Sequence, residues 1–256
     1  MSLAGFSLQN KTALVLGASS AIGRAAALAL AEAGADVAVA ARTMSQVEQV
    51  SEEIKALNRR SLPVQVDVAD PQDVAAMISR TTSELGKIDI LVNNAGISGK
   101  SPLISLDTNA WHQIIETNLS GPLYCCRAVA PQMLERRYGR IINISSTSGA
   151  MPSADGAAYN TSKAALNMLT KVLSLEWAPY NVGVNAIGPG WFKTEMSKAS
   201  LATPDQRAKV ESIIPLGRLT GLRDLGLLAV FLASAASQWM TGQVIYLDGG
   251  ETAAVL

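Results

Sequence analysis

The amino-acid sequence predicts an α/β fold: a doubly wound parallel sheet of about seven strands with helices on both faces. Two observations support this prediction. Short apolar, β-rich runs alternate with longer helical patterns along the chain, as expected when crossover helices join parallel strands. The first apolar run also leads into a glycine-containing turn and an alanine- and leucine-rich helical stretch, the order in which such sheets commonly begin.

The elements can be placed in order from apolar runs and helical periodicity. Strands are predicted at about 11–16, 36–41, 62–67, 88–93, 140–145, 182–187 and 243–247. Helices are predicted at about 21–33, 44–58, 71–85, 108–137, 157–178 and 222–234. The third helix has the clearest start, because Asp70 is a good N-cap residue and Pro71 suits the first helical position.

Length and composition favour a single domain spanning residues 1–256. No Pro/Gly/Ser-rich hinge, charge run or internal repeat divides the 256 residues. The 21 basic and 21 acidic residues give zero net charge, so nothing electrostatic favours nucleic acid or an anionic membrane as a partner. No apolar run is long enough to span a bilayer, and no secretion signal is evident. The adjacent Cys125 and Cys126 are poorly placed to pair, which favours reduced thiols and a cytoplasmic protein.

The clearest chemical signal is the spacing of Tyr159 and Lys163, which places a phenol and an ammonium on one helix face. A free phenol has a pKa of about 10, and a nearby cation lowers it towards the range useful for acid–base catalysis. Ser146 ends a predicted strand thirteen residues before Tyr159. Since this Tyr–Lys spacing is common by chance, the alternative is a surface tyrosine beside a solvated lysine.

Further motifs share an order and spacing with these three residues. They are Asn93-Asn94-Ala95-Gly96, Asn118, Pro189-Gly190 followed by Thr194, and Asp248-Gly249-Gly250. Together with the glycine turn, the pattern from about residue 8 to 250 resembles the classical short-chain dehydrogenase/reductase (SDR) family. The resemblance implies an NAD(P)-dependent short-chain alcohol dehydrogenase or carbonyl reductase that interconverts a ketone and a secondary alcohol by hydride transfer.

The resemblance implies a catalytic role for Asn118, Ser146, Tyr159 and Lys163. Ser146 is expected to hold the substrate carbonyl oxygen beside Tyr159, which exchanges a proton with it. Lys163 is expected to lower the phenol pKa and to bond the nicotinamide ribose. Asn118 is expected to kink its helix and to hold a water that relays protons to Lys163.

Cofactor contacts also follow from the resemblance, position by position. They are Gly17, Ser19, Ser20, Ile22, Gly23, Arg42, Asp67, Val68, Asn94, Ala95, Gly96, Tyr159, Lys163, Pro189, Gly190 and Thr194. Two residues depart from the family pattern: Leu16 replaces a usual threonine and Ala21 the middle glycine of the turn. Because alanine is a good helix former, we expect the turn to survive and cofactor affinity to be the property affected.

The end of the second predicted strand indicates which dinucleotide is preferred. An NAD-selective site generally places a carboxylate there, but Ala41 stands at that position and Arg42 follows it. A guanidinium pairs well with phosphate oxygens, so NADP(H) is predicted over NAD(H). The alternative is that Arg42 is a solvated residue that opens the next helix.

Metal and hydrolase chemistry are not expected. The lone His112 follows Trp111 near a helix start, where packing or capping is the better interpretation, and no Cys/His/carboxylate group has ligand spacing. Ser146 has no plausible histidine partner, which argues against a serine hydrolase.

The substrate is less well defined by the sequence. The stretch from Pro189 to Met196 looks like the gluconate/polyol dehydrogenase branch, while the whole chain also resembles 3-oxoacyl-carrier-protein reductases. Of the two basic residues with which those reductases dock their carrier, Arg137 is present, but Tyr180 occupies the second position. We therefore expect a small free ketone or a sugar-derived substrate, with a 3-oxoacyl-carrier-protein reductase as the alternative. A non-catalytic dinucleotide sensor or scaffold is a more remote one.

Two further expectations concern the lid and the assembly. The segment at about 191–215 follows a strand end, where ligands bind in open α/β sheets, and is predicted to be a substrate lid. The family commonly forms homotetramers through the helices at 108–137 and 157–178. The small and apolar residues expected at that interface are Ala164, Ala165, Met168, Leu169 and Leu173.

Overall fold

Seven parallel strands form one sheet in the computed structural model, which describes residues 4–255. They are β1 (Thr12–Leu16), β2 (Asp36–Ala41), β3 (Ser61–Gln65), β4 (Ile90–Asn93), β5 (Gly139–Ile144), β6 (Val182–Pro189) and β7 (Val244–Leu247). The strand order is β3-β2-β1-β4-β5-β6-β7, and every neighbouring pair is parallel. The order reverses between β1 and β4, which opens a crevice beyond the carboxyl ends of those strands. The predicted fold class is confirmed.

Helices lie between these strands, and the last one follows β7. They are α1 (Ala21–Glu32), α2 (Met44–Lys55), α3 (Pro71–Leu85), α4 (Thr108–Ile115), α5 (Gly121–Glu135), α6 (Ala157–Trp177), α7 (Pro204–Ile213), α8 (Leu222–Ala233) and α9 (Glu251–Val255). The predicted start of α3 is confirmed, since the Asp70 side chain accepts a hydrogen bond from Gln72 N at 2.7 Å. The segment 191–215 contains α7 and a short 3₁₀ turn.

A hydrophobic core lies on each face of the sheet. Alternation along a strand sends neighbouring side chains to opposite faces, so Val15 joins one core and Leu14 the other. The first core is closed by α1, α2 and α8, and the second by α3, α5 and α6. These two cores fix the strand ends from which the candidate site is built.

The predicted long helix at 108–137 is interrupted. A single π-helical turn, Glu116–Ser120, separates α4 from α5, and Asn118 lies fully buried at its centre. A π turn inserts one extra residue and often marks a functional site. The helix is therefore interrupted at Asn118, the residue at which a kink was expected.

Both cysteines lie in the second core as free thiols. Burial raises the pKa of Cys125 and raises that of Cys126 to about 12, so both are packed, unreactive groups. Among the described helices, none combines the length and apolar character that a membrane crossing requires.

Candidate active site

The functional residues predicted from the sequence converge where four strands end. The glycine turn follows β1, the Asn94–Gly96 loop follows β4, Ser146 follows β5, and Gly190 follows β6. Parallel strands present these ends on one edge of the sheet, so residues distant in sequence become neighbours. Helix α6 brings Tyr159 and Lys163 to the same edge.

Lys163 is held by the end of β5. Its ammonium donates to the carbonyl of Ile144 at 2.8 Å, and its side chain is almost fully buried. The Lys163 Nζ lies 5.8 Å from the centre of the Tyr159 ring. Burial disfavours the charged form and lowers the pKa of Lys163 to about 8.

The Tyr159 phenol lies among protein groups that keep it protonated. Burial raises its pKa, and an interaction with the Ser146 side chain lowers it in part. The net direction is opposite to the lowering expected from the Tyr–Lys spacing, because desolvation of the phenolate is the largest effect. The Ser146 hydroxyl oxygen also accepts from Ser148 N at 3.1 Å, which fixes it at the start of the next turn.

Asn118 links the π-helical turn to α6. Its carboxamide exchanges two hydrogen bonds of 2.9 Å with the backbone of Ile97 and donates to Ser162 Oγ at 3.1 Å. Ser162 in turn donates to the carbonyl of Tyr159 at 2.7 Å. A methyl group added at Gly96 would lie 3.6 Å from Lys163 Nζ and 3.4 Å from Asn118 Oδ1, so these three residues line one small space. Sequence reasoning missed Ser162, whose one signal was its position three residues after Tyr159.

The turn after β1 is tied down by Asn94. Its amide donates to Leu16 O at 3.1 Å, to Gly17 O at 2.8 Å and to Ser20 Oγ at 3.1 Å. Gly17 has φ +65° and packs so closely that a Cβ there would come within 2.8 Å of the Ala95 backbone. A Cβ at Gly23 would come within 2.3 Å of Gly17 O. Only glycine therefore fits either position.

The start of α1 presents unpaired backbone donors. Ser20 caps the helix by accepting from Gly23 N at 3.1 Å. In the described part of the chain, the N–H groups of Ser19, Ala21 and Ile22 meet no acceptor. Such donors at a helix N-terminus suit the pyrophosphate of a dinucleotide.

Both departures from the family pattern are accommodated. Ala21 is the first residue of α1 and has no positive φ, so its methyl group costs no backbone strain. Leu16 is buried in the second core. The Asn94 amide joins this turn to the loop after β4, a contact for which the family pattern has a threonine hydroxyl.

The end of β2 carries an exposed cation. Arg42 follows Ala41, and its guanidinium has no ion pair or hydrogen bond within residues 4–255. Its backbone is fixed, because Gln65 Nε2 donates to Arg42 O at 3.0 Å. Just after the neighbouring strand β3, Asp67 is exposed and accepts a hydrogen bond from Ala69 N at 3.0 Å, while Val68 is buried.

The segment after β6 is also held by close contacts and hydrogen bonds. Pro189 ends the strand, and a Cβ at Gly190 would lie 2.8 Å from the Asp248 backbone. Thr194 N donates to Ser197 Oγ at 3.0 Å, and Ser197 donates to Phe192 O at 2.6 Å. Ser197 thus shapes the loop that presents Thr194, a role that sequence reasoning missed.

His112 is exposed on α4. Within the described residues, no three His, Cys, Asp or Glu side chains lie together as a metal site requires.

The fold and site together define a dinucleotide-binding oxidoreductase domain. The family model adh_short_C2, described as Enoyl-(Acyl carrier protein) reductase, matches residues 17–252. The chain is 41% identical over 242 residues to the 3-oxoacyl-(acyl-carrier-protein) reductase FabG of Staphylococcus epidermidis, covering 94% of this chain and 98% of that protein.

Solved structures agree with this relationship. A short-chain type dehydrogenase/reductase from Mycobacterium marinum superposes with a TM-score of 0.93 at 41% identity, covering 98% of each chain. A gluconate 5-dehydrogenase from Burkholderia cenocepacia, in complex with NADP and tartrate, superposes with a TM-score of 0.95 at 34% identity, covering 99% of each chain. The chain belongs to the short-chain dehydrogenase/reductase family. It is an oxidoreductase that acts on a CH–OH or carbonyl group and binds a nicotinamide dinucleotide.

Proposed function

We propose that this protein is an NADP(H)-dependent reductase of a small free ketone or sugar-derived ketone, working through Asn118, Ser146, Tyr159 and Lys163. The cofactor preference rests on one observation, the exposed Arg42 that follows Ala41 where an NAD-selective site has a carboxylate. The 2′-phosphate of NADP would supply the partner that the guanidinium lacks within the described residues. The NADP bound to the gluconate 5-dehydrogenase relative supports this choice.

The residues present fit a dinucleotide. The three unpaired N–H groups at the start of α1 would bind its pyrophosphate, and the two glycines leave room for its close approach. Asp67 and Val68 would contact the adenine, and the Asn94–Gly96 loop would pass beside the adenosine. Pro189, Gly190 and Thr194 would hold the nicotinamide carboxamide.

The proposed reaction uses the chain's own groups for orientation and proton transfer. When bound, the nicotinamide supplies or accepts the hydride. Ser146 donates a hydrogen bond to the substrate carbonyl oxygen and so places it beside the Tyr159 phenol. Tyr159 gives its proton to that oxygen in reduction and recovers it in oxidation. Its raised pKa keeps it protonated, as reduction requires.

Lys163 and Asn118 would support this proton transfer. Lys163, fixed by Ile144 O, is placed to bond the nicotinamide ribose. Asn118 and its π-helical turn would hold a water that connects Lys163 with solvent. We also propose that residues 191–215 form a lid over the substrate, since they follow the carboxyl end of β6.

One observation bears on the alternative function, reduction of carrier-bound 3-oxoacyl chains. The chain is 41% identical to a 3-oxoacyl-(acyl-carrier-protein) reductase, but the second basic docking position is Tyr180. The Arg137 guanidinium lies 5.8 Å from the Tyr180 ring centre and donates to Pro179 O at 2.6 Å, so the one docking cation is already engaged. This contact supports a free substrate over a carrier-bound one.

A substrate panel tests the proposal. NADPH oxidation should be fastest with small ketones or keto sugar acids. A 3-oxoacyl group should be reduced no faster on its carrier protein than as a free thioester. A carrier-dependent gain in kcat/KM of about tenfold or more would favour the alternative. No turnover of any ketone, with NADPH still bound, would favour the sensor or scaffold.

A double variant tests the cofactor preference. The wild-type enzyme should favour NADPH over NADH in kcat/KM by about 10- to 150-fold, the value of one charge-assisted phosphate contact. Ala41→Asp with Arg42→Ala should reverse this preference, because it installs a ribose acceptor and removes the phosphate partner. Arg60→Ala, an exposed arginine at the other end of the sheet, is the matched control. A wild-type preference for NADH would refute the assignment.

A further inference from the structure

Both ends of the proposed lid rest on one short turn near the C-terminus. At the first end, the Trp191 indole N–H donates to Glu251 Oε1 at 3.2 Å. At the second end, Leu216 N donates to Gly249 O at 3.1 Å. A Cβ added at Gly250 would lie only 3.2 Å from the Pro215 ring, so this end is also in close contact. Residues 248–252 are therefore the platform on which the segment 191–215 is mounted.

Asp248 makes this platform rigid. Its carboxylate accepts from Gly250 N at 3.0 Å, from Thr252 N at 2.8 Å and from Thr252 Oγ1 at 2.6 Å. Burial acts to raise the pKa of Asp248, but these hydrogen bonds outweigh it and the net pKa is lowered. An ordered carboxylate with three donors holds the turn in one conformation.

Glu251, on this platform, reaches the first end of the lid. It is only 8% exposed, and Trp191 is the hydrogen-bond partner of its Oε1. Its Oε2 is buried, has no partner within residues 4–255, and would lie 3.3 Å from a Cβ at Gly190. Burial raises the pKa of Glu251, although the Trp191 hydrogen bond lowers it in part and Asp248 raises it further. An acceptor oxygen, rather than a negative charge, is what this contact needs.

The contact reaches the proposed nicotinamide and substrate sites through the backbone. Trp191 follows Gly190, and its carbonyl accepts from Thr220 N at 3.0 Å. Phe192 is buried and pairs with Thr220 in a short β-bridge. Thr194, which we assign to the carboxamide of the nicotinamide, lies two residues further on.

We propose that Glu251 is a positioning residue whose hydrogen bond to Trp191 acts as a latch that holds the first end of the lid in place. The latch fixes Trp191 at the start of the lid and thereby sets the approach of Thr194 to the proposed nicotinamide site. In this proposal Glu251 takes no part in hydride or proton transfer. This inference rests on the proposed function for its effect on kinetics but not for the latch itself.

Limited trypsin digestion tests the latch without reference to activity. Lys193 and Lys198 are exposed in the lid and are the cleavage sites to follow by mass spectrometry. Cleavage there should be about three- to tenfold faster in Glu251→Ala and in Trp191→Phe, because each loses one hydrogen bond that restrains local opening. Glu251→Gln keeps an acceptor oxygen and should digest like the wild type. Glu48→Ala, an exposed glutamate on α2, controls for loss of a carboxylate.

Steady-state kinetics then measure the consequence. Glu251→Ala should raise KM for the ketone about three- to tenfold while kcat changes less, and Glu251→Gln should restore KM. The double variant Glu251→Ala with Trp191→Phe should have a KM no higher than that of either single variant, because both substitutions remove the same contact.

Each outcome has a clear meaning. Wild-type digestion rates in Glu251→Ala and Trp191→Phe would overturn the latch, as would additive effects in the double variant. If Glu251→Ala does not fold, Trp191→Phe still carries the test, because it keeps an aromatic ring at this position and removes the indole N–H donor. Faster digestion without any ketone turnover would uphold the latch and refute the proposed function.

Discussion

Tyr159 and Lys163 lie one helical turn apart, and burial shifts both of them towards the neutral form. It raises the pKa of the phenol and lowers the pKa of the ammonium to about 8. The protein alone therefore supplies a protonated acid beside a cation that can lose its charge. This arrangement suits ketone reduction near neutral pH.

Removing the Tyr159 hydroxyl tests its role as the proton donor. Tyr159→Phe should lower kcat for ketone reduction by about 10²- to 10⁴-fold, the usual contribution of a positioned acid or base. The dissociation constant for NADPH should stay within about threefold, because the ring and Lys163 remain. Tyr138→Phe, at the opposite end of the sheet, is the control. Retention of more than about a tenth of kcat would assign the proton transfer to another group.

The pH dependence of reduction should reflect Lys163. Below about pH 8 its side chain is an ammonium, and above that value it is increasingly the neutral amine. The kcat/KM for ketone reduction should therefore be level up to about pH 7, fall to about half near pH 8 and decrease further at higher pH, while Tyr159 stays protonated. Lys163→Arg should move the fall to higher pH in whatever activity remains, because a guanidinium keeps its charge. A profile that is level to pH 10 would contradict this.

At the scale of elements, the site depends on where strands end and how closely the loops after them approach. The turn after β1 and the loop after β4 are joined by the Asn94 amide and by direct backbone contact at Gly17. The π-helical turn between α4 and α5 is joined to α6 in a similar way, because the Asn118 amide donates to the Ser162 hydroxyl.

Comparing Gly17→Ala with a control glycine variant separates the effect of close packing against Ala95 from the effect of backbone strain. The Cβ would meet the Ala95 backbone at 2.8 Å and φ is +65°, so the turn must shift. We expect NADPH to bind at least about tenfold more weakly by titration, since a displaced turn loses at least one charge-assisted hydrogen bond. Gly86→Ala is the control: φ is +91° but nothing lies within 4 Å, so it should cost about 1–2 kcal/mol of stability and leave binding unchanged. Equal binding by both variants would show that the close approach is irrelevant to the cofactor.

At the scale of the whole molecule, α6 leaves an apolar stripe on the surface. Met168, Val172 and Leu175 recur at helical spacing and are 59%, 42% and 78% exposed. Two residues expected at the interface lie elsewhere: Leu173 is buried and Leu169 packs against the second core. Ala164 and Met168, which were also expected at the interface, are exposed, so the predicted face is exposed in part.

We propose that this stripe forms one of the two-fold interfaces of a homotetramer. A patch of this kind is typical of an isologous interface. Light scattering at micromolar concentration should give about four chains, and Leu175→Glu should yield smaller species, because it buries a charge in the contact. Leu57→Glu, on the surface after α2, should leave the assembly intact. A wild-type monomer would refute the proposal.

Much of this molecule could be predicted from the sequence because the relevant signals are local. Apolar runs that alternate with helical patterns predicted the seven strands. The Asp70–Pro71 pair predicted a helix start, and the Tyr–Lys spacing predicted a shared helix face. Motif order then led to the family, which the comparisons confirm. These features depend on neighbours within a few residues or on residue identity.

Tertiary structure alone decided what depends on packing between distant segments. The tie from Asn94 to the turn at Gly17, 77 residues away, needs β1 and β4 to be adjacent. The latch from Trp191 to Glu251, 60 residues away, needs β6 to end beside the C-terminal turn. The raised pKa of Tyr159 follows from desolvation, which is set by everything that surrounds the phenol rather than by the lysine four residues along the chain.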